Sequence, residues 1–371
     1  MADTPLVAVI RGDGIGSDVT EAALAVAAAA LARCGAPAFR CDDIDAGAAY
    51  FAETGRDIEA DGETRAGDAD AIFLGAIGLP SIRHEDGTEI SPHLRLRDRF
   101  HLYAGIRPVR AYPNTPQRLA DPRAAGLDLV IIRESTEGLF YSAAVHDRSP
   151  IEGDPAAPDA VSDIMRISGD TTRKLHEFAF RLAARRKARG KAGRLTCVDK
   201  ANVFRSQAFF RTLFDETAAR HPGIETGYSY VDAMALDMVR QPWEFDVMVM
   251  ENMFGDILSD LAGGLVGGMG MAACGEIGDA NGLFQPAHGS APDIAGQDRA
   301  NPLAAILSGA MMLDYLAGRC GLESYATAAR LIEDAVEAGF AANALRPMEF
   351  GGDMGTDAVT RDLLDRVRSG G

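Results

Sequence analysis

The segment 252–260 reads Asn-Met-Phe-Gly-Asp-Ile-Leu-Ser-Asp and places two carboxylates, Asp256 and Asp260, four residues apart. In a helix this spacing brings both onto one face, where they repel each other unless a cation lies between them. Carboxylate oxygens without clustered His or Cys are the ligands that Mg²⁺ and Mn²⁺ prefer. Asp232 is a candidate third ligand. The alternative is a solvated helix face, which is what an isolated Asp pair usually indicates.

Several cations could act with this acidic pair. Lys200 stands directly after a predicted strand, where ligands collect in open α/β sheets, and a lysine beside carboxylates and a metal can serve as general base or acid. Arg97, Arg107 and Arg133 also stand at strand or loop ends and could clamp substrate carboxylates bidentately. Most lysines are only surface charges, so a catalytic role for Lys200 is predicted only because it occurs together with the acidic pair and the arginines.

The elements that must position these residues follow an alternating pattern typical of an α/β protein. Short Val/Ile/Leu-rich runs predict strands, and longer periodic runs predict helices that begin with signals such as Asp18. The predicted strands are Leu6–Ile10, Ala71–Leu74, Leu127–Ile132, Leu195–Val198 and Phe245–Met250, and the predicted helices are Val19–Arg33, Arg173–Arg189 and Pro302–Leu316. The stretch Ser149–Asp159, rich in Pro, Asp and Gly, is predicted to be the least regular. With 371 residues, two lobes are expected rather than one compact domain.

The amino-acid composition limits the classes of binding partner that we expect. A formal charge of −17 disfavours binding to nucleic acid and to anionic membranes, which leaves small molecules and other protein chains. Five cysteines without a CxxC pair indicate reduced thiols that serve packing. The chain starts Met-Ala-Asp-Thr-Pro without a basic leader and contains no run of about 18 uncharged apolar residues, so we expect a cytoplasmic protein.

A set of motifs, in order along the whole chain, resembles one family. The motifs are Gly12-Asp-Gly-Ile-Gly16, Arg107-Pro108, Arg133-Glu134, Asp199-Lys-Ala-Asn202, Asp232-Ala233, Gly255-Asp-Ile-Leu-Ser-Asp260, Ala287-His-Gly-Ser-Ala-Pro-Asp-Ile-Ala-Gly296 and Gly351-Gly-Asp-Met-Gly-Thr356. The glycine cluster alone would be a weak signal, because a tight turn explains it equally well. Together the motifs resemble the β-decarboxylating dehydrogenases, which include isopropylmalate, isocitrate, homoisocitrate, D-malate and tartrate dehydrogenases.

The resemblance implies a two-lobed α/β fold of the isopropylmalate dehydrogenase type, with a cleft between the lobes, rather than a standard Rossmann fold. The first, cofactor-binding lobe would comprise residues 1–104 and 266–371, and the second, with the dimer interface, residues 105–265. By the same resemblance the three arginines hold the substrate carboxylates, and Asp256 and Asp260 bind Mg²⁺ or Mn²⁺ together with Asp232. Lys200 and Asp232 would be catalytic from the other subunit, so the resemblance implies a homodimer with shared active sites.

The cofactor expected from the resemblance is NAD. Asp293 could accept hydrogen bonds from the adenosine ribose and would repel a 2′-phosphate, whereas NADP-using relatives typically have Lys-Tyr in place of Asp293-Ile294. Outside this motif Asp293 would pass as a loop carboxylate and His288 as an ordinary histidine. The expected cofactor-binding residues are Ile15, Gly75, Asn202, His288, Gly289, Ser290, Ala291, Asp293, Ile294 and Asn301.

Three positions depart from the family pattern. Phe140 stands where the family has a tyrosine thought to protonate the enol, and Tyr141 follows one residue later as the remaining candidate donor. Since phenylalanine cannot donate a proton, this departure bears on whether decarboxylation is completed. Gln285 replaces a common glutamate and Arg11 a common proline. These changes indicate a paralogue with an unusual substrate.

The predicted reaction is oxidation, with decarboxylation, of a hydroxy-dicarboxylate or hydroxy-tricarboxylate. Ser91, His93 and Leu94 lie in the segment that reads the variable substrate group, and their mixed character leaves the choice open. If the segment is a helix, a 3-isopropylmalate-like substrate is the leading expectation; isocitrate, homoisocitrate, D-malate and tartrate are the alternatives. A silent NAD-binding regulatory paralogue is a further alternative, although such subunits tend to lose metal or lysine positions that this chain retains.

Overall fold

The computed structural model describes residues 4–143, 151–154 and 157–370. The strands within these residues are β1 Leu6–Gly12, β2 Arg40–Asp43, β3 Ala71–Ala76, β4 Ala104–Arg110, β5 Asp128–Glu134, β6 Ile151–Asp154, β7 Ala157–Val161, β8 Leu195–Asp199, β9 Thr226–Tyr230, β10 Val247–Met250, β11 Ala273–Ile277 and β12 Gly282–Pro286. The α-helices are α1 Gly16–Arg33, α2 Ala48–Thr54, α3 Gly62–Asp68, α4 Pro92–Arg99, α5 Phe140–Ala143, α6 Gly169–Ala188, α7 Arg205–Ala218, α8 Val231–Arg240, α9 Asn252–Leu265, α10 Leu303–Cys320, α11 Glu323–Ala341 and α12 Thr356–Ser369.

One sheet contains ten of these strands in the order β2-β1-β3-β12-β11-β4-β5-β10-β8-β9. At one end β2, β1, β3 and β12 run parallel, and at the other end β5, β10, β8 and β9 run parallel. Antiparallel pairing through β11 and β4 joins the two runs and gives them opposite directions. The strands of a doubly wound Rossmann sheet run in one direction, whereas here two parallel runs of opposite direction meet at an antiparallel centre, so this sheet differs from it, as expected.

Helices cover the parallel runs, as buried parallel strands require. Every residue of β3 and β10 is buried. The helices α1, α10, α11 and α12 pack together beside the first run, while α8 and α9 pack against each other in the second. Within the described part of the chain, α10 is the one helix long and apolar enough to cross a membrane. Of its 18 residues 56% are buried, and it packs against α1 and α11 as a core helix does.

The predicted elements are all present with shifted ends, and two expectations were wrong. Asp18 does not cap a helix: α1 already begins at Gly16, because the positive φ angles of Gly12 and Gly14 turn the chain just before it. Asp18 instead accepts a hydrogen bond from the Gly296 N–H at 2.9 Å. In the stretch 149–159, the described residues form the antiparallel pair β6 and β7; its other residues lie outside the described ranges. All five cysteines are free, as predicted.

Candidate active site

The three predicted arginines come from different elements and lie together below the surface. Arg97 is in the last turn of α4, Arg107 is on β4 and Arg133 is on β5, and all three are buried. Arg97 Nη2 and Arg107 Nη2 each lie 3.0 Å from the same atom, Oε1 of Glu276, which is fully buried on β11. The sequence analysis missed Glu276, although a glutamate inside the apolar run Ala-Cys-Gly-Glu-Ile was a detectable signal.

Strand register explains why these charges meet. Gly105 on β4 pairs with Glu276 on one side and with Arg133 on the other, so the three stand in one row across the sheet. A Cβ on Gly105 would lie 2.8 Å from Glu276 Oε2 and 2.6 Å from Ser135 Oγ. The glycine therefore leaves the space that the Glu276 carboxylate occupies.

Arg133 connects the arginines to the acidic helix α9. Its Nε and Nη2 donate to Asn252 Oδ1 at 2.9 and 2.7 Å, and its Nη1 contacts Asp256. Burial, with repulsion from Arg97, lowers the pKa of Arg133 to about 10, which leaves it charged at neutral pH. The residues predicted to bind the substrate and the metal thus form one continuous polar cluster.

Asp256 and Asp260 share one face of α9, as predicted. Burial and, after it, the negative charge of Asp256 raise the pKa of Asp260. A bound cation would relieve the repulsion between the two carboxylates. No group of three His, Cys, Asp or Glu side chains suited to a metal occurs among residues 4–143, 151–154 and 157–370. The third predicted ligand, Asp232, contacts Lys200 Nζ instead.

Lys200 and Asp232 form a pair at the surface of the second parallel run. Lys200 follows β8 and Asp232 stands in the first turn of α8, and the Lys200 hydrogen bond lowers the pKa of Asp232. Large apolar side chains on the turn after β8 and on helices α8 and α9 are exposed, and we call them the open face: Val203, Phe204, Leu236, Val239 and Ile257. Leu236 and Val239 are four and seven residues after Asp232 and so share its side of α8.

The segment predicted to read the variable group is helical. Ser91 directly precedes α4, which starts at Pro92, so His93 and Leu94 lie on a helix and not on an extended strand. The Arg95 guanidinium forms ion pairs with Asp57 and Glu63. His93 Nδ1 is buried without a hydrogen-bond partner among the described residues. Burial and Arg97 lower the pKa of His93 to about 3, so this histidine is neutral. Leu94 is half-buried beside it.

The two aromatic residues after the Arg-Glu motif have different neighbours. Phe140 lies against Arg133, with its ring centre 5.0 Å from the guanidinium carbon. Tyr141 instead stacks on Arg166 at 4.9 Å. The position that faces the arginine cluster is therefore the one occupied by phenylalanine.

Most predicted cofactor residues line one cavity of about 370 Å³. Its wall includes Ile15, His288, Gly289, Ala291, Ile294 and Asn301, together with Met269, Gly270, Arg299, Ala300, Met348 and Glu349. Ile15 N–H donates to the Ser290 carbonyl at 2.8 Å, and Ser290 Oγ donates to the Gly78 carbonyl. Asn301 Nδ2 donates to Glu349 at 2.8 Å. Backbone contacts thus fix the 288–291 loop against the glycine turn.

The remaining predicted cofactor residues lie outside this wall. Asp293 is exposed next to Ile294, and Asn202 is exposed in the turn after β8. Gly75 lies inside β3, where a Cβ would be 2.3 Å from the Arg11 carbonyl oxygen, so close packing requires glycine at this position. Sequence reasoning missed Asp13, a buried carboxylate that accepts the N–H groups of Ala48, Ala49 and Gly78 at 2.8 Å each.

Buried arginines beside an i, i+4 carboxylate pair suit a class of enzymes that bind carboxylic acids next to a hard metal ion. The sequence profile of the family described as isocitrate/isopropylmalate dehydrogenase matches residues 6–367. The chain belongs to this family and is a dehydrogenase, and both the predicted family and the predicted fold are confirmed.

Individual relatives match along nearly the whole chain. A 3-isopropylmalate/3-methylmalate dehydrogenase of Methanocaldococcus jannaschii is 37% identical over 363 residues, covering 98% of each chain. A homoisocitrate dehydrogenase of the same organism is 36% identical over 368 residues, covering 98% of this chain and 97% of that protein. The crystal structure of isocitrate dehydrogenase from Methylococcus capsulatus matches with a TM-score of 0.83 at 32% identity, covering 98% of this chain and 100% of the other.

Proposed function

We propose that the protein catalyses the NAD- and divalent-metal-dependent oxidation, with decarboxylation, of a 3-substituted malate. The observation that carries this proposal is the continuity of the arginine cluster with the acidic pair, through Arg133 and Asp256. Among the candidate substrates a 3-isopropylmalate-like acid leads, because α4 is helical and places Leu94 beside a neutral His93. The names of the relatives support the same choice, since one acts on 3-isopropylmalate and 3-methylmalate.

The residues of this chain divide the work as follows. The arginines bind and orient the substrate carboxylates. Asp256 and Asp260, with Asp232 of a second copy, would hold Mg²⁺ or Mn²⁺; their oxygen-only chemistry and mutual repulsion fit such an ion. Bound there, the ion would make the substrate hydroxyl more acidic and draw electrons from the neighbouring carbonyl.

Proton movement falls to Lys200. It would accept the hydroxyl proton, directly or through water, as the hydride leaves carbon 2 for the nicotinamide of NAD. Carbon dioxide then leaves from the carboxylate on carbon 3, and a proton returns to that carbon. Tyr141, whose ring packs against Arg166, is our proposed donor for this last proton.

We further propose a homodimer in which each site uses Lys200 and Asp232 of the other subunit. The support is physical: the Lys200–Asp232 pair lies beside an open face whose Leu236 and Ile257 are 55% and 59% exposed. A second copy would cover this apolar surface and bring Asp232 to an acidic pair for which the described part of one chain offers no third carboxylate.

The division into two lobes, residues 1–104 with 266–371 and residues 105–265, is also our proposal. It is supported by the sheet, in which β1–β3, β11 and β12 are neighbours and the other five strands are neighbours. We propose a cytoplasmic location, in keeping with the free cysteines.

NAD rather than NADP is the proposed cofactor. Asp293 is exposed directly beside Ile294, which lines the 370 Å³ cavity, so its carboxylate can meet the adenosine ribose at the rim. A 2′-phosphate at the same place would be repelled. Ile15, His288, Gly289, Ala291 and Asn301 would form the adjoining wall, and Ser290 would hold the loop in place through its contacts with Ile15 and Gly78. Asn202 would reach a cofactor only in the other subunit.

The test is a substrate panel assayed with NAD and Mn²⁺ while NADH and carbon dioxide are both followed. The panel comprises 3-isopropylmalate, isocitrate, homoisocitrate, D-malate and tartrate. We expect equal amounts of NADH and carbon dioxide, highest kcat/KM for 3-isopropylmalate, and loss of activity in excess chelator that Mg²⁺ or Mn²⁺ reverses. NADH without carbon dioxide would reject the decarboxylation. Saturable NADH binding without turnover of any acid would indicate the silent regulatory paralogue.

A further inference from the structure

Glu276 is a buried charge inside the arginine cluster that the reaction outlined above does not use. Its Oε1 lies 3.0 Å from Nη2 of both Arg97 and Arg107, and the residue is fully buried. Burial alone would raise the pKa of Glu276, but the charges of Arg97, Arg107 and Arg133 outweigh it and hold the pKa below its ordinary value. Glu276 is therefore ionised at neutral pH.

This carboxylate reduces the positive charge available to a substrate. Three guanidinium charges and one carboxylate leave a net charge of two positive units in the cluster. The charge of Asp256, which contacts Arg133, belongs with the proposed metal site and is offset there. His93, at the substituent end of the site, adds no charge, because its pKa is lowered to about 3.

We infer that Glu276 is a positioning residue that sets the charge of this cluster to match two carboxylates, so that the preferred substrate is a dicarboxylate with an uncharged 3-substituent. A tricarboxylate would bring a third negative charge near Glu276, where the partly dehydrated surroundings strengthen the repulsion. The inference rests on the proposed function and selects within it: malates with alkyl or other neutral substituents are favoured over isocitrate and homoisocitrate.

Glu276 acts here through the arginines and need not touch the substrate. It also holds Arg97 and Arg107 in place, so its replacement affects binding of every acid to some extent. The readout that separates charge matching from simple support is the ratio of kcat/KM for a tricarboxylate to that for a dicarboxylate. A purely structural defect lowers both values and leaves the ratio unchanged.

The experiment compares Glu276→Gln with Glu276→Asp, using 3-isopropylmalate and isocitrate with NAD and Mn²⁺. Glutamine keeps the shape and one oxygen acceptor but removes the charge, whereas aspartate keeps the charge and shortens the side chain. We expect Glu276→Gln to raise the isocitrate to isopropylmalate ratio on the order of tenfold or more, since a unit charge is removed close to the substrate. Glu276→Asp should keep the wild-type ratio even if both activities fall. An unchanged ratio in Glu276→Gln, or an equal change in both variants, overturns the inference.

Binding measurements keep this test separate from the proposed function. Calorimetric titration of the wild type with two unreactive acids, propane-1,2,3-tricarboxylate and methylsuccinate, in the presence of Mn²⁺ requires neither turnover nor a folded variant. We expect tighter binding of the dicarboxylate; tighter binding of the tricarboxylate overturns the inference. Absence of NADH formation with every acid, together with the expected binding preference, would instead reject the dehydrogenase reaction and leave the charge matching intact.

Discussion

The cofactor cavity and the Lys200–Asp232 pair differ in how completely one chain builds them. Described residues from the glycine turn, the 288–291 loop and the segment 299–301 before α10 surround the cavity, and backbone hydrogen bonds such as Ile15 N–H to Ser290 O hold them. The pair lies on the open face, where Leu236 and Val239 are exposed. Under the proposed function, one chain would therefore provide a nearly complete cofactor site and only part of a catalytic site.

This difference indicates how the two regions should respond to change. A substitution in the cavity should alter cofactor affinity or choice within one subunit, whereas a substitution at the pair should alter a reaction that depends on two subunits. The following predictions test the contrast, beginning with the largest effect.

Lys200→Met should lower kcat on the order of 10²–10⁴-fold, because a general base is lost, while NAD binding to the cavity should stay nearly unchanged. Stopped assays for NADH and fluorescence titration with NADH measure the two properties. A variant with more than about a tenth of the wild-type kcat would remove the proposed role of Lys200.

Sharing of sites between subunits gives this prediction a sharper form. Lys200→Met and Asp256→Asn, each inactive alone, should recover activity when unfolded together and refolded as mixed dimers. One of the two sites in a mixed dimer then has both wild-type residues, so recovery of about a quarter of the wild-type activity is expected from random pairing. No recovery, with mixed dimers shown by mass spectrometry, would mean that each chain supplies its own Lys200.

Leu236→Glu should weaken the proposed dimer, because it places a charge on the open face, which the second copy would cover. We expect a monomer by analytical ultracentrifugation and at least about a tenfold loss of activity at low protein concentration, with NADH binding retained. The matched control is Ala32→Glu, which adds the same charge to an exposed position of α1. A fully active Leu236→Glu monomer would contradict the shared site.

The double change Asp293→Lys with Ile294→Tyr should shift the ratio of kcat/KM for NAD to that for NADP towards NADP, on the order of tenfold or more. A cation replaces a carboxylate at the rim of the cofactor cavity, so cofactor choice should change without an effect on the Lys200–Asp232 pair. Asp334→Lys makes the same charge change on the exposed side of α11 and should leave the ratio unchanged. An unaltered ratio in the double variant would place cofactor discrimination elsewhere.

The sequence predicted the residues whose roles are set by local spacing. Asp256 and Asp260 share a helical face because they are four residues apart, and the 288–291 loop carries its contacts in one contiguous motif. The buried carboxylates were missed because their partners are remote: Arg107 and Glu276 are separated by 169 positions and meet only through the pairing of β4 and β11. Asp13 likewise binds N–H groups of Ala48 and Gly78.

The smallest predicted effect concerns the interior between α6 and α7, which belongs to a different hydrophobic cluster from the one beneath α8 and α9. His176 on α6 is fully buried, with its ring centre 4.5 Å from that of Phe210 and 5.4 Å from that of Phe214, on the inner side of α7. Burial lowers the pKa of His176 from 6.5 to about 3. If water does not enter the space between α6 and α7, the His176 ring stays neutral in the folded protein.

The sign of the effect follows from proton binding. As pH falls below 6.5, the unfolded chain protonates His176 while the folded protein does not until about pH 3, so stability decreases across this window. One such group changes the free energy of unfolding by at most about 1.4 kcal/mol per pH unit. His176→Leu removes the titration, and urea unfolding between pH 7 and pH 4 should therefore show a smaller loss of stability than in the wild type, after correction for the constant cost of the substitution. Equal pH slopes in the two proteins would mean that water or protons reach the space between α6 and α7, so that the His176 ring is protonated in the folded protein as readily as in the unfolded chain.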